Sequence, residues 1–170
     1  KINAVLVIAP KGVYRNWTNI EIPKHIPSHV VYRTVLWTPN PRKAEKEALE
    51  SLFEVTEDLK IFVMNIEALS TDKGVKFAKR FAMVHDVFAA IDESTTIKTP
   101  GAKRAKNAVK VGEQCKYRRI MTGSPITKNP MDLFQQCLFL SEDCLGHGSF
   151  YTFQARYAVI VERRLPTHTF

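Results

Sequence analysis

The sequence predicts an α/β fold: a parallel sheet with helices on both faces. Two observations support this. Five short runs of apolar, often β-branched residues alternate along the chain with segments whose apolar residues recur at helical spacing. The strand-like runs, such as "AVLVIAP" at 4–10, are continuously apolar, as in strands that are buried on both faces. Strands that alternate with helices form parallel sheets with right-handed crossovers.

Each predicted element ends at polar or turn-forming residues. The predicted strands cover residues 4–10, 29–37, 59–66, 86–92 and 117–123. The predicted helices cover residues 13–22, 41–54, 73–85, 101–112, 130–141 and 149–160. In the first helix, the spacing of Val13, Trp17 and Ile20 indicates one common face. The tail at 161–170 is interpreted as an exit segment.

Composition limits the class of protein. The 170 residues, 45% of them hydrophobic, are enough for one domain with a real core. No apolar run approaches the roughly 20 residues of a membrane span, so we expect no membrane partner. Three cysteines without a CxxC pair indicate a reducing compartment and buried thiols, and they lack the spacing of a zinc site. The net charge of +8 favours a polyanionic partner, which could be nucleic acid, acidic protein or anionic lipid.

Polar residues follow several of the predicted strands directly. The carboxyl ends of parallel strands meet at one edge of a sheet, and ligands bind beyond that edge. We therefore expect the following residues to share one rim: Pro10, Lys11, Asn65, Glu67, Asp92, Glu93, Thr122, Gly123 and Ser124.

Asp92 and Glu93 form an acidic pair at the end of a predicted buried strand. In nucleotide hydrolysis, such an Asp holds Mg²⁺ and such a Glu orients and deprotonates the attacking water. In the other interpretation, Asp92 caps the next segment and Glu93 is solvated.

The segment Thr122–Ser124 also follows a strand and allows two interpretations. Its two hydroxyls flank a glycine on the same rim as the acidic pair, where they could sense a γ-phosphate. The same residue types also favour an ordinary turn between a strand and a helix.

Taken together, these segments resemble a known family. They resemble, in the family's order, the first RecA-like motor domain of superfamily 2 helicases, specifically the Swi/Snf-type branch of double-stranded DNA translocases. The resemblance covers most of residues 4–160. It rests on "VLVIAPKGVYRNWTNIEI" (motif Ia), "IFVMNIEAL", "IDESTTIKTPGAKRAKNA" (motif II), "RRIMTGSPITKNPMDLFQQCLFL" (motif III) and "SFYTFQARY".

The resemblance implies ATP and Mg²⁺ as cofactors and DNA, expected to be double-stranded, as partner. It implies that Asp92 binds the metal and Glu93 activates water. The residues implied to couple the nucleotide to DNA are Thr95, Thr122, Gly123 and Ser124. The residues implied to contact the DNA backbone are Lys11, Arg15, Asn65 and Lys98. The lysines and arginine at 103–110 either extend this basic track or form a solvated helix face.

The sequence departs from the family in several places. Ser94 and Thr95 stand where Ala-His is usual, so Thr95 would have to link the nucleotide site to motif III through a hydroxyl. Thr96 and Thr99 also replace a common basic residue and a common Asn. The distance from Trp17 to the Glu of motif Ia is one residue longer than expected.

A further departure is that no glycine belongs to a GxxxxGK motif followed by Ser or Thr, the phosphate-binding P-loop. We therefore expect residues 1–170 to be a partial, single motor domain, from motif Ia to just beyond motif III. The P-loop and second motor domain would be absent, and the chain alone inactive. The variant motifs suggest a phage or bacterial source, and so an intracellular location in a bacterium or an infected host.

Two other functions are compatible with the residues. One is a non-catalytic nucleic-acid-binding module on the same scaffold. The other is a metal-dependent nuclease that uses Asp92 and Glu93, with Glu67 as a further carboxylate.

Overall fold

The computed structural model describes residues 1–159, and within them a five-stranded parallel sheet has the order β2-β3-β1-β4-β5. Its strands are β1 (Ala4–Ala9), β2 (Tyr32–Leu36), β3 (Leu59–Asn65), β4 (Val87–Asp92) and β5 (Tyr117–Met121). Each strand lies within its predicted range. The predicted α/β class with a parallel sheet is therefore confirmed.

Helical segments connect the strands and follow the last one. They are α1 (Tyr14–Asn16), a π-helix (Trp17–Glu21), α2 (Ile22–His25), α3 (Lys43–Ser51), α4 (Asp72–Val84), α5 (Lys103–Gly112), α6 (Asp132–Leu140) and α7 (Phe150–Tyr157). Two 3₁₀ helices follow strands closely. Ile66–Ser70 begins directly after β3, and Ser94–Ile97 begins after β4 with only Glu93 between them. Residue 160 of the last predicted helix and the tail at 161–170 lie outside the described residues.

The two faces of the sheet are covered unequally. On one face, side chains of α3, α4, α5 and α6 form the main core, in which Phe62, Phe81 and Phe139 are fully buried. On the other face, a smaller cluster around Val7 and Ile22 lies beneath the α1–α2 segment. Helices therefore cover both faces, as predicted.

The α1–α2 segment corrects one expectation. Val13 and Ile20 are 37% and 52% exposed, so they do not share a buried face with half-buried Trp17. Val13 lies before α1, and from Trp17 the π-helix Trp17–Glu21 disrupts the 3.6-residue periodicity because its wider turn contains an extra residue. This turn contains the one-residue longer spacing noted in motif Ia.

Two further observations concern composition. Of the helices described within residues 1–159, none has both the length and the apolar character needed to cross a membrane. All three cysteines are free thiols, but only Cys115 is buried, whereas Cys137 is half-buried and Cys144 is exposed. The expectation of buried thiols was thus correct for one cysteine.

Candidate functional site: the rim at the carboxyl ends of the strands

The register of the sheet brings the predicted rim residues to one edge. Ala9 pairs with Asn65, Ile8 pairs with Ile91, and Asp92 pairs with Met121. The strand ends are therefore level, and the residues that follow them lie on the same side of the molecule. The acidic pair is next to the end of β5, because β4 and β5 are neighbours.

Asp92 is the last residue of β4, and both of its carboxylate oxygens accept hydrogen bonds. Trp17 Nε1 donates to Oδ2 over 2.9 Å, and the backbone N–H of Glu93 donates to Oδ1 over 2.9 Å. Each carboxylate oxygen has two lone pairs, so both oxygens keep capacity for a ligand. The half-buried carboxylate is thus oriented and still able to bind a cation.

Trp17 is a site residue that the sequence did not identify, since its spacing indicated a place on a helix face. Part of its ring does pack in the smaller cluster. A partly buried indole usually finds an acceptor for its N–H, which was the available signal. Which of the many polar groups would be the acceptor depends on the tertiary fold.

Glu93 has an unusual backbone conformation, with φ 48° and ψ 59°. Within residues 1–159 it is the one residue other than glycine with a positive φ. The left-handed conformation costs an L-residue about 1–2 kcal/mol, and strain of this kind occurs preferentially at functional sites. The exposed carboxylate accepts a hydrogen bond from Thr122 Oγ1 over 3.3 Å.

The donor set fits Mg²⁺ bound together with a phosphate substrate. Mg²⁺ commonly uses one or two protein carboxylates, with phosphate oxygens and waters as its other ligands. Asp92, with both oxygens partly free, can supply one such carboxylate. Residues 1–159 contain no group of three or more His, Cys, Asp or Glu that could hold a metal alone.

Glu67, the further carboxylate considered for a nuclease, does not join the acidic pair in such a group. Its Oε2 accepts a hydrogen bond from Asn65 Nδ2 over 3.0 Å. This arrangement gives no support to the nuclease interpretation.

The segment after β5 is organised by its own hydrogen bonds. The backbone N–H of Ser124 donates to Thr122 Oγ1 over 3.3 Å, and Ser124 Oγ donates to the carbonyl of Ile126 over 3.1 Å. Gly123 is exposed, and a Cβ there would meet no atom within 4 Å. Thr122 is therefore the residue of this segment that directly contacts the acidic pair.

A buried hydrogen bond connects the segment after β4 to α6. Ser94 Oγ donates to Gln136 Oε1 over 2.6 Å, and both residues are fully buried. Gln136 Nε2 in turn donates to the carbonyls of Pro125 and Asp132, over 2.8 and 2.7 Å. This connection starts at Ser94, one residue before Thr95, and the coupling role of Thr95 stays a prediction.

Asp132 holds the residues before α6 in place. Its Oδ2 accepts hydrogen bonds from Thr127 Oγ1 over 2.7 Å and from the backbone N–H groups of Thr127 and Lys128, both over 2.9 Å. The Thr127 hydroxyl, followed by these backbone donors and Lys98, holds the pKa of Asp132 well below its usual range. The carboxylate is therefore a firm anchor for the segment.

Lys98 is engaged within the protein. Its Nζ forms an ion pair with Asp132 over 3.3 Å and also contacts the Thr127 hydroxyl. Lys11 and Arg15 follow β1 and are exposed on the rim side, whereas Asn65 is half-buried at the end of β3.

The basic residues of α5 divide into two kinds. Lys103 pairs with Asp72 over 3.0 Å, and Arg104 Nε donates to the carbonyl of Thr96 over 2.8 Å. Lys106 and Lys110 are exposed. Part of this helix is therefore occupied by contacts within the chain.

This parallel sheet, with helices on both faces and polar residues at the strand ends, is a RecA-like α/β fold. The structure is similar to that of the Sulfolobus solfataricus SWI2/SNF2 ATPase core in complex with dsDNA, with a TM-score of 0.62 and 25% sequence identity. The match covers 92% of this chain and 28% of the other, so the chain spans little more than a quarter of that protein's length.

The model of the SNF2-related domain matches residues 1–164. The chain therefore belongs to the SNF2-related domain family, and the resemblance to Swi/Snf-type motor domains is confirmed. No curated protein matches the chain.

Proposed function

We propose that the chain is part of the first motor domain of an ATP-dependent DNA translocase, from motif Ia to just beyond motif III. The observation that carries this proposal is the acidic pair at the end of β4, with Glu93 in a left-handed conformation and hydrogen-bonded to Thr122. Membership of the SNF2-related domain family supports the same function. The strained backbone at Glu93 supports it as well, because such strain occurs preferentially at functional sites.

In this proposal the two carboxylates have different tasks. Asp92 is the Mg²⁺ ligand, and the hydrogen bonds from Trp17 and from the Glu93 N–H fix its orientation. Bound Mg²⁺ would neutralise charge on the phosphates of ATP. Glu93 accepts the proton of the water that attacks the γ-phosphorus, and ADP is the leaving group. A positioned general base of this kind contributes about 10²–10⁴-fold to a rate.

The hydroxyl of Thr122 connects this chemistry to the rest of the rim. It donates to Glu93 and accepts from the N–H of Ser124. A movement of the Glu93 carboxylate would therefore alter the hydrogen bonding of the segment after β5. In this proposal Thr95, Gly123 and Ser124 belong to the same coupling region.

The DNA-facing surface is proposed on the same rim. Lys11 and Arg15 are exposed and follow β1, as phosphate contacts require. Asn65 and Lys98 complete the set, although Lys98 must exchange its ion pair with Asp132 for a phosphate. Contacts to phosphates position a protein on DNA without reading its sequence, which suits a translocase, and the similar Sulfolobus ATPase core was solved in complex with dsDNA.

We further propose that the P-loop and the second motor domain are supplied by other parts of a longer protein. Within the described sheet, β2 and β5 are the edge strands, and each has one edge without a partner strand at which a further strand can pair. Phosphoryl transfer needs phosphate-binding and charge-neutralising groups from several parts at once. We therefore expect residues 1–170 alone to be inactive.

The test is phosphate release from ATP by the longer protein, with and without duplex DNA. We expect release that DNA stimulates and that Asp92→Ala abolishes. A wild-type protein that binds duplex DNA but does not hydrolyse ATP would favour the non-catalytic module. Shortening of the DNA on a gel, dependent on Asp92, would favour a nuclease.

A further inference from the structure

One chain of hydrogen bonds, buried at Ser94 and Gln136 and partly buried at Pro125, joins the segment after β4 to the segment after β5 through α6. It begins at Ser94, which is one residue beyond Glu93 in sequence, and passes through the side-chain amide of Gln136 to the carbonyl of Pro125. Ser94 and Gln136 each have no exposed surface. The two segments are therefore connected inside the protein as well as at the exposed bond between Thr122 and Glu93.

The amide of Gln136 is nearly saturated by these partners. Its oxygen accepts from Ser94, and its NH₂ group donates to the carbonyls of Pro125 and Asp132. A side-chain amide offers two donors and one acceptor atom, so a shift of any partner leaves a buried polar group unpaired. Such a loss is costly in a dry environment, and the groups are therefore expected to move together.

The segment from Pro125 to Lys128 is attached to α6 at two points. Gln136 binds the carbonyl of Pro125, and Asp132 binds Thr127 and Lys128 through three hydrogen bonds. The segment and the helix thus form one unit. The Ser94 side chain makes the hydrogen bond from this unit to the segment that follows the acidic pair.

The position of Ser94 makes the connection specific to this sequence. In the pattern that the chain resembles, this position is usually Ala, which has no side-chain hydrogen-bonding group, and the following His makes the link. Here the following residue is Thr95, while the buried bond starts at Ser94. The link is displaced by one residue along the chain.

We propose that Ser94 and Gln136 are positioning residues that carry the nucleotide-dependent movement of the acidic pair to the segment after β5. This inference rests on the proposed function, because it assumes that hydrolysis is coupled to DNA. The connection is the buried counterpart of the exposed bond between Thr122 and Glu93.

The test measures coupling in the longer protein, as the ratio of ATP turnover with saturating duplex DNA to turnover without DNA. The variants are Ser94→Ala, Gln136→Leu and the double variant. We expect each single change to lower the ratio about 10-fold, within the 5–150-fold range typical of coupling between sites. The double variant should lower it no further, because both residues belong to one connection.

A second readout separates coupling from folding. Each single change leaves a buried partner unpaired, whereas the double change removes both polar groups and should recover part of the melting temperature. The matched control is Gln135→Leu. Gln135 is a buried neighbour on α6 whose amide donates to the Ala105 carbonyl over 3.4 Å and not to either segment. Its coupling ratio should stay at the wild-type value.

Three results would overturn the inference, and a fourth concerns the proposed function. Coupling that recovers together with stability in the double variant would show that the bond serves the fold alone. An equal loss in Gln135→Leu would attribute the effect to packing of α6. Wild-type coupling ratios in both single variants would show that the bond between Ser94 and Gln136 does not contribute to coupling. Absence of DNA-stimulated turnover in the wild-type protein would instead refute the proposed function, and this inference with it.

Discussion

The hydrogen bond from Trp17 to Asp92 allows a prediction whose size follows from the structure. Trp17→Phe keeps an aromatic ring in the cluster beneath the α1–α2 segment and removes the N–H that binds Oδ2 over 2.9 Å. A hydrogen bond to a charged group is worth about 1.5–3 kcal/mol. Asp92 is half-buried and can recruit water in place of the indole, so the lower part of this range applies.

The measurement is a double-mutant cycle of Trp17→Phe with Asp92→Ala, read by thermal and urea unfolding. We expect a coupling free energy of about 1.5 kcal/mol between the two positions. For a domain of this size, 1 kcal/mol corresponds to about 2–4 °C in melting temperature. The Asp92→Ala change also removes the bond to the Glu93 N–H. That loss occurs with and without the Trp17→Phe change alike, so it cancels in the coupling free energy.

Trp37→Phe is the control for this cycle. Trp37 is 2% exposed and packs against Phe62 and Phe77 on the other face of the sheet. It should lose more stability than Trp17→Phe through packing, yet combine additively with Asp92→Ala. A coupling energy near zero for Trp17, or one of equal size for Trp37, would refute the reasoning.

Three further predictions concern the same rim. Glu93→Asn should raise the melting temperature, because Asn tolerates the left-handed conformation that costs Glu about 1–2 kcal/mol. The same change should abolish turnover. A lower melting temperature would contradict the inference that the Glu93 backbone is strained. Asp132 has a lowered pKa in the folded state, so its stabilising contribution is present above the unfolded pKa of about 3.9 and is lost as the pH falls towards the folded pKa. Urea unfolding from pH 7 to pH 3 should therefore show a smaller pH dependence in Asp132→Asn, and an unchanged dependence would assign the acid sensitivity to other groups. Replacing both Lys11 and Arg15 with Ala should weaken duplex binding of the longer protein for all sequences and reduce the slope of log affinity against log salt by about 0.9 per lost contact. Fluorescence anisotropy across a salt series measures both effects. An equal effect of Lys46→Ala on α3 would show that the loss of affinity comes from net charge alone.

The fold could be predicted because its signals are local. Apolar runs such as residues 4–10 and 59–66 indicate buried strands by themselves, and their alternation with helices fixes the parallel sheet. Once the sheet is parallel, the strand ends share an edge. The position of Asp92 and Glu93 on the same rim as Thr122 follows from this rule. Their adjacency also requires that β4 and β5 are neighbours in the sheet, which the sequence did not predict.

The remainder of the site depends on contacts between residues far apart in sequence. Nothing near Trp17 indicates that its N–H would reach a residue 75 positions away. The extra residue in motif Ia was visible, but its accommodation as a π-helix was not. Ser94 was visible only as a departure from the family pattern, and its bond to Gln136 could not be predicted because the partner is 42 positions away.

The most direct test of the proposed function is Glu93→Gln in the proposed longer protein, which would supply the P-loop. The amide keeps the shape of the side chain and deletes the base, so ATP turnover in the presence of duplex DNA should fall by about 10²–10⁴-fold. Nucleotide affinity, measured in parallel by equilibrium binding, should stay within about 2-fold of wild type, because binding of the nucleotide before hydrolysis does not require the base. Turnover at the wild-type rate would remove Glu93 from the active site and contradict the assignment of the acidic pair.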